Sequence, residues 1–272
     1  MLTISGLYIY PIKSLGGISV DAATITSRGL QNDRRWMLID ANDRFLTQRE
    51  FPEMALVQLE FAEDGLKVYH KKFTEKNLSI PYAPLLNAET IKVQIWDDIC
   101  EAQLYDREIN GWFSEALKMN CRLVYMPDTT GRMVDDRYAN NNEITSFSDA
   151  YPILLIGQAS LDDLNSRLAE PLPMNRFRPN IVFTNGEPFE EDSFAEFSIG
   201  AMTFFGTKLC SRCVVTTINQ SEATKGKEPL KTLATYRMKN NKIYFGQNLL
   251  HAESGEVKVG DSIEVRKTKG GF

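Results

Sequence analysis

Apolar and polar residues alternate through much of the first half of the chain. Apolar positions alternate at Ala55, Val57, Leu59 and Phe61, then at Leu66 and Val68, and Ile91, Val93 and Ile95 alternate with polar partners. A period of two predicts half-buried strands. Residues 4–12 are apolar and aromatic and predict a strand ending around Pro11. Residues 36–40 and 44–48 predict the arms of a hairpin about Ala41-Asn42-Asp43. The period changes at Asp106, an N-cap residue type, after which Ile109, Trp112, Phe113 and Leu117 share one helical face. A strand over residues 121–126 is halted by Pro127. The polar loop that follows, residues 128–148 with Asn140-Asn141-Asn142 inside it, marks a boundary between two expected domains, 1–125 and 126–272.

The second half mixes periods. Ser160-Leu161-Asp162-Asp163 resembles a capping box with Asp in the Glu position, and Leu161, Leu164 and Leu168 form a helical stripe. Residues 180–184, 197–205, 243–245 and 257–265 predict strands, the last two around turns at Gly246 and Gly260-Asp261. Pro229 opens a short helix with Leu230 and Leu233 one turn apart. The β-branched run Val214-Val215-Thr216-Thr217-Ile218 predicts a further strand. Many short strands with few short helices, and no regular βαβ alternation, give a β-rich α+β fold of barrel type rather than a dinucleotide-binding one.

Composition narrows the function classes. The 272 residues, 43% hydrophobic and 25% charged, describe an ordinary globular protein. A formal net charge of −5 argues against nucleic acid as a partner, because phosphate neutralisation needs a basic excess. The densest apolar run, residues 151–156, is far too short to span a bilayer, and Met1 to Gly6 lack signal-peptide character. A cytoplasmic protein without a membrane partner is expected. Its cysteines, at 100, 121, 210 and 213, are then reduced thiols or ligands rather than disulfides.

Cys210-Ser211-Arg212-Cys213 is the sharpest local signal, and the residues alone leave four readings open. Half a zinc site lacks a second pair, and His70 and His251 are isolated. A thioredoxin-like pair normally opens a helix, whereas a strand is expected here. Two cysteines could pack as small hydrophobes. A single thiolate beside Arg212 would suit a soft metal or act as a nucleophile. Lys13-Ser14, Asp33-Arg34-Arg35 and Arg178-Pro179-Asn180 lie at predicted strand ends, either as solvated loop charges or converging on one anion-binding mouth. Asp149 precedes an apolar strand and either ends a loop or exchanges protons near a site.

Taken in order, Tyr10-Pro11-Ile12-Lys13-Ser14, Arg28-Gly29-Leu30, Asp33-Arg34-Arg35-Trp36, Ser160-Leu161-Asp162-Asp163-Leu164-Asn165, Phe177-Arg178-Pro179-Asn180-Ile181, Cys210-Ser211-Arg212-Cys213, Thr216-Thr217, Glu228-Pro229-Leu230 and Val259-Gly260-Asp261 resemble the MOSC family, named for the C-terminal domain of molybdenum-cofactor sulfurase. The resemblance covers nearly the whole chain and is nearest the branch holding the amidoxime-reducing component and its bacterial relatives. It implies an N-terminal MOSC β-barrel domain followed by a MOSC β-barrel domain. It further implies a molybdenum cofactor of the molybdopterin type, with Cys213 as the protein's metal ligand and Cys210 as a supporting neighbour. By the same resemblance Lys13, Ser14, Arg34 and Arg178 surround the cofactor's pterin and phosphate. Asn180, Ser211 and Arg212 are their neighbours, and Asp149 is a catalytic carboxylate beside the metal.

The activity so implied is reduction of small N-oxygenated or N-hydroxylated compounds, the oxygen leaving as water with two electrons and two protons. With no C-x₄-C-x₂-C cluster before Phe272, a separate ferredoxin- or cytochrome-type protein is expected to supply the electrons. The eukaryotic branch has an N-terminal membrane-targeting segment, whereas here the first strand begins almost at Met1. A family-level association with pyridoxal phosphate is also carried by the resemblance. Two other functions compete: a sulfur carrier holding a persulfide on Cys213, and a non-catalytic binding module.

Overall fold

In the computed structural model, which describes residues 1–85, 87–139 and 141–272 (the Thr74 side chain excepted), seven strands close into a ring. Leu2–Ile9 pairs with Ser262–Thr268, which pairs with Phe194–Ile199. The ring continues through Met202–Ser211, Lys242–His251, Ile153–Gly157 and Ile181–Thr184, and returns to Leu2–Ile9. An odd ring cannot be antiparallel throughout, and the one parallel pair is Ile153–Gly157 with Ile181–Thr184. Parallel neighbours need a crossover. Helix Gln158–Ser166 and the single turn Met174–Arg176 supply it. Leu7, Leu155, Ile181, Phe183, Phe194, Phe197, Phe204 and Leu249 fill the core of this region. The first strand of the chain is thus a stave of a barrel otherwise built from residues beyond 150.

In the first half Ile18–Val20 pairs with Leu2–Ile9, Ala22–Thr26 and Gly29–Leu30 form a sheet with Gly255–Lys258, and the remaining strands form two antiparallel sheets. One orders Trp36–Ile39, Arg122–Tyr125, Asp98–Leu104 and Thr90–Ile95; the other orders Val57–Ala62, Gly65–His70 and Phe73–Pro81. Helix Arg107–Leu117 begins where Asp106 accepts a hydrogen bond from the Ile109 N–H at 3.0 Å, and it buries Ile109 and Phe113 beside Trp36 and Leu123. Among the described residues there are three α-helices, the third being Leu230–Leu233, so the β-rich reading holds. None is long and apolar enough to cross a membrane.

Five local expectations need correction. Ser160 caps nothing: the helix starts two residues earlier, directly out of strand Ile153–Gly157. Its hydroxyl instead donates to the buried Glu191 carboxylate at 2.8 Å. The β-branched run after Cys213 is a single 3₁₀ turn, Val214–Thr217, because Cys213 and Val215 carbonyls accept from the Thr216 and Ile218 N–H groups. Gly246 is no turn. It lies inside Lys242–His251 at φ +84°, where the register against Met202–Ser211 slips and a Cβ would meet Ile156 Cγ1 at 2.7 Å, so it marks a bulge. Residues 197–205 divide into two strands about Gly200 and Ala201. The polar loop carries a small ladder, Arg132–Met133 against Ile144–Thr145; Asn140, part of the asparagine run there, lies outside the described residues.

Candidate functional site at the barrel mouth

Strand Leu2–Ile9 ends at the mouth of the barrel and hands the chain to Lys13 and Ser14. Lys13 is buried, and its ammonium donates to the Phe147 carbonyl at 2.9 Å and to Asp149 Oδ1 at 2.6 Å. Burial pulls the Lys13 pKa down, and Asp149 opposes that pull. The Asp149 side chain lines the open pocket and is 64% exposed. Removal from bulk water would raise its pKa. The Lys13 charge and hydrogen bond, with Arg49 and Arg34, prevail and hold the carboxyl well below the usual carboxylate range. An ion pair at hydrogen-bond distance decides the sign of that shift.

Arg34 precedes strand Trp36–Ile39 and Arg178 precedes Ile181–Thr184. Arg34 donates to Asp33 Oδ2 at 2.5 Å and to Asn180 Oδ1 at 3.0 Å. Arg178 donates to the Leu15 carbonyl at 2.7 Å. Both guanidiniums stand over the ring of Tyr10, at 4.5 and 4.2 Å from its centroid. Burial pushes the Tyr10 phenol up to about 12, so the ring is neutral, and brings Arg178 down to about 10, still cationic at neutral pH. Asn180 is locked on all sides: its Oδ1 also accepts from the Leu154 N–H, and its Nδ2 donates to the Tyr8 carbonyl. Ser14, Arg34 and Arg178 all have left-handed backbones, at φ 67°, 48° and 56°. Such residues persist where surrounding contacts over-determine them, and they recur at binding sites.

Strand Met202–Ser211 delivers the cysteines. Cys210 packs against the cluster of Phe177, Leu164 and Phe245, and its sulfur accepts from Arg212 Nη1 at 2.9 Å. Burial pushes that thiol up, against the Arg212 charge. Arg212 also donates to the Phe177 carbonyl at 2.5 Å, while its Nε is buried without a partner. Cys213 is partly exposed at the start of the 3₁₀ turn, and among the described residues no hydrogen bond reaches its sulfur. Arg176 holds the turn from behind by donating to the Thr216 carbonyl at 2.8 Å. Cys100 and Cys121 are different: both are buried in the first half, and burial pushes each thiol up to about 11.

All nine residues proposed from sequence, Lys13, Ser14, Arg34, Asp149, Arg178, Asn180, Ser211, Arg212 and Cys213, line one pocket of about 260 Å³. Sequence reasoning missed Arg49 and Lys208, which line it too. It also missed Arg132, which grips the loop behind Asp149 through the carbonyls of Ser146, Ser148 and Asp149. Arg49 follows a predicted strand, the same signal that singled out Lys13 and Arg34. Lys208 and Arg132 carried no local signal.

The donor set decides what could sit here. Six cationic side chains line the pocket, Lys13, Arg34, Arg49, Arg178, Lys208 and Arg212, against the single carboxylate of Asp149, in a chain of net charge −5. The described residues contain no cluster of three or more His, Cys, Asp or Glu able to cage a metal. His70 stacks on Phe73 and His251 meets the Glu253 carbonyl, both away from the pocket. A metal here would have one protein thiolate and would need to bring its other ligands on an anionic carrier. Cys213, the unpartnered Arg212 Nε and the cationic lining fit such a group.

Fold and site together define a β-barrel protein whose mouth is a cation-lined pocket that holds Cys210 and Cys213. Residues 1–120 match the MOSC N-terminal beta barrel domain and residues 142–264 the MOSC domain. The chain is 32% identical over 279 residues to mitochondrial amidoxime-reducing component 1 of Mus musculus, covering 96% of this chain and 81% of the relative. It is 32% identical over 288 residues to the protein of that name in Homo sapiens, covering 96% and 82%. It is 33% identical over 261 residues to the molybdenum cofactor sulfurase of Oryza sativa subsp. japonica, covering 89% of this chain but only 32% of that protein. The chain therefore belongs to the MOSC-domain family. It spans about a third of the rice sulfurase and about four fifths of the amidoxime-reducing components.

Proposed function

We propose that this protein is a molybdenum-cofactor-dependent oxidoreductase that reduces N-hydroxylated and other N-oxygenated small molecules, with electrons from a separate ferredoxin- or cytochrome-type protein. The observation that carries this reading is the joining of one unpartnered thiol, Cys213, and six cations in a single pocket. Cys213 would be the thiolate ligand. Lys13, Ser14, Arg34, Arg178, Ser211 and Arg212 would hold the pterin and its phosphate, with Asn180 fixing Arg34. When bound, the molybdenum centre supplies the two-electron removal of oxygen from the N–O bond. The substrate leaves as the amine or amidine, and two protons carry the oxygen away as water.

The chain's own groups do the rest. Lys13 and Arg49 keep Asp149 ionised, so it serves as a hydrogen-bond acceptor rather than an acid at neutral pH. It can orient the substrate N–OH or a water through which protons arrive. Arg212 clamps Cys210 and the Phe177 carbonyl and so fixes the backbone that aims Cys213.

The test is metal analysis. Protein purified from a cofactor-competent, molybdenum-replete host is expected to carry near-stoichiometric molybdenum. Background metal from such a host would overturn the proposal. The similarity to a sulfurase supports a second reading, sulfur transfer through a Cys213 persulfide. Cofactor-free protein that takes up labelled sulfur on Cys213 would favour it.

A further inference from the structure

The six cations at the mouth divide by what their donors already do. Lys13 is tied to Phe147 and Asp149, Arg34 to Asp33 and Asn180, Arg178 to Leu15, and Arg212, apart from its buried Nε, to Cys210 and Phe177. Arg49 and Lys208 are tied to nothing comparable. Among the described residues the Arg49 guanidinium makes no hydrogen bond. It meets Asp149 Oδ2 at 3.9 Å and stands 4.2 Å from the centroid of Trp96. Among the described residues the Lys208 ammonium forms neither hydrogen bond nor ion pair; it lies 4.3 Å from the centroid of Tyr138, and its charge reaches Asp135 only at longer range.

Both cations are nevertheless placed rather than loose. Trp96 is held by Phe45, ring centroids 4.7 Å apart, and offers its ring face to Arg49. Lys208 sits on a barrel strand whose backbone carbonyl accepts from Asn248 Nδ2. A positioned cation with unfilled donors at a pocket wall is half of a charge-assisted hydrogen bond, and an oxyanion completes it. Arg49 adjoins Asp149, so such an oxyanion would lie beside the place where the N–OH is oriented.

We infer that the substrate of this site carries an oxyanion, carboxylate or phosphate, which docks on Arg49 and Lys208 while its N-hydroxyl end points toward Asp149 and Cys213. The inference rests on the functional reading above and names its substrate class: anionic N-hydroxylated compounds rather than neutral ones.

The test compares benzamidoxime with its 4-carboxylate and 4-phosphonate derivatives, using loaded enzyme and a small chemical reductant. Wild-type protein is expected to prefer the anionic compounds by about tenfold in kcat/KM, and the better of the two identifies the oxyanion. Arg49→Gln and Lys208→Gln should each lower the anionic-to-neutral ratio by about three- to tenfold, whatever they do to the neutral substrate. Calorimetry with 4-carbamoylbenzoate against benzamide, which lack the N–OH, should show the same preference and the same loss. An unchanged ratio in both variants overturns the inference. So does an equal fall for all substrates seen only with a protein electron donor, which would assign the two cations to donor docking. A fall in molybdenum content in these variants would assign them to the cofactor and equally overturn it. If loaded protein turns over no N-hydroxyl compound at all, the functional reading fails, and the calorimetric preference alone decides whether the anion site stands.

Discussion

Strand Ile153–Gly157 runs from the barrel mouth to the opposite end, and a carboxylate stands near each of its ends. At the mouth, Asp149 meets Lys13 at 2.6 Å and is held well below the ordinary carboxylate range. At the far end, Glu191 is fully buried and accepts from the Gly157 N–H at 3.2 Å and the Ser160 hydroxyl at 2.9 Å. Burial there pushes the carboxyl up to about 7, with Asp192 adding to the rise. The same cost of burial thus has opposite outcomes: neighbouring charge sets the sign at the mouth, and neutral donors leave desolvation in control at the far end. The first arrangement keeps charge available to a ligand. The second ties helix Gln158–Ser166 to the chain and is purely structural.

If that division is right, substitutions at the mouth change ligand binding and spare stability, and those at the far end do the reverse. The largest separation is expected at the cysteines. Cys213→Ser should reduce molybdenum and N–OH reduction to background while moving the melting temperature by only about 2 °C or less. Cys210→Ser, which keeps a hydrogen-bonding group near Arg212, should retain much of both. Equal losses in the two variants, measured by metal analysis and turnover, would break the assignment of Cys213 as ligand.

Arg237→Leu comes next, at the far end. Arg237 and Asp192 are a buried ion pair, and Asp192 Oδ1 already lacks a partner. Removing the cation leaves a buried carboxylate uncompensated, a loss of about 3–5 kcal/mol in urea unfolding. Molybdenum per folded molecule should not change. A stable variant with depleted metal would reverse the comparison.

Glu191→Gln has a smaller effect that depends on pH. The folded-state pKa of about 7 lies above the ordinary glutamate value of 4.5, so the protonated carboxyl favours the folded state in acid. That contribution is lost as pH rises from 4.5 through about 7, amounting to about 3 kcal/mol at most. The glutamine variant lacks this titration. Its stability relative to the parent should rise as pH increases from about 5 to about 8. Parallel stability–pH curves for the two proteins would show that Glu191 does not titrate in this range.

Much of the mouth was legible in the sequence, because its residues sit where apolar strands stop. Lys13, Arg34 and Arg178 were each marked by a basic residue at a strand end, and the structure brings them into one pocket. What separated Cys213 from Cys210 was the resemblance, and the contacts add a physical difference: Arg212 takes up one sulfur and leaves the other free. Arg132 was illegible, since it holds the mouth through backbone carbonyls of residues 146–149, which no side-chain pattern announces, and its one carboxylate partner, Asp98, lies thirty-four residues away. Ser160 misled because a serine before a helical stripe looks like a cap, whereas a carboxylate thirty-one residues later had already taken its hydroxyl. The run 214–217 misled because β-branched residues favour extended chain only where a neighbouring strand can pair with them.

The smallest expected effect tests whether the mouth is strained for the sake of its chemistry. Left-handed residues occur at both ends of the barrel, for example Ser14 at φ 67° and Phe189 at φ 63°. Phe189 contributes a ring that packs on Tyr236 and Phe245, so glycine there would lose more than it relieved. Ser14 makes no such packing contribution; the Gln48 amide donates to its backbone carbonyl at 2.6 Å, a bond glycine would keep. Relief of a left-handed Cβ is worth about 1–2 kcal/mol, and the added chain entropy of glycine takes back about 0.5–1. Ser14→Gly should therefore raise stability by about 0.5–1 kcal/mol while weakening retention of the anionic ligand, because the hydroxyl is gone. A stabilised variant that binds its ligand as well as the parent would mean that the serine is kept for neither reason, and the strain at the mouth would be no more functional than that at the far end.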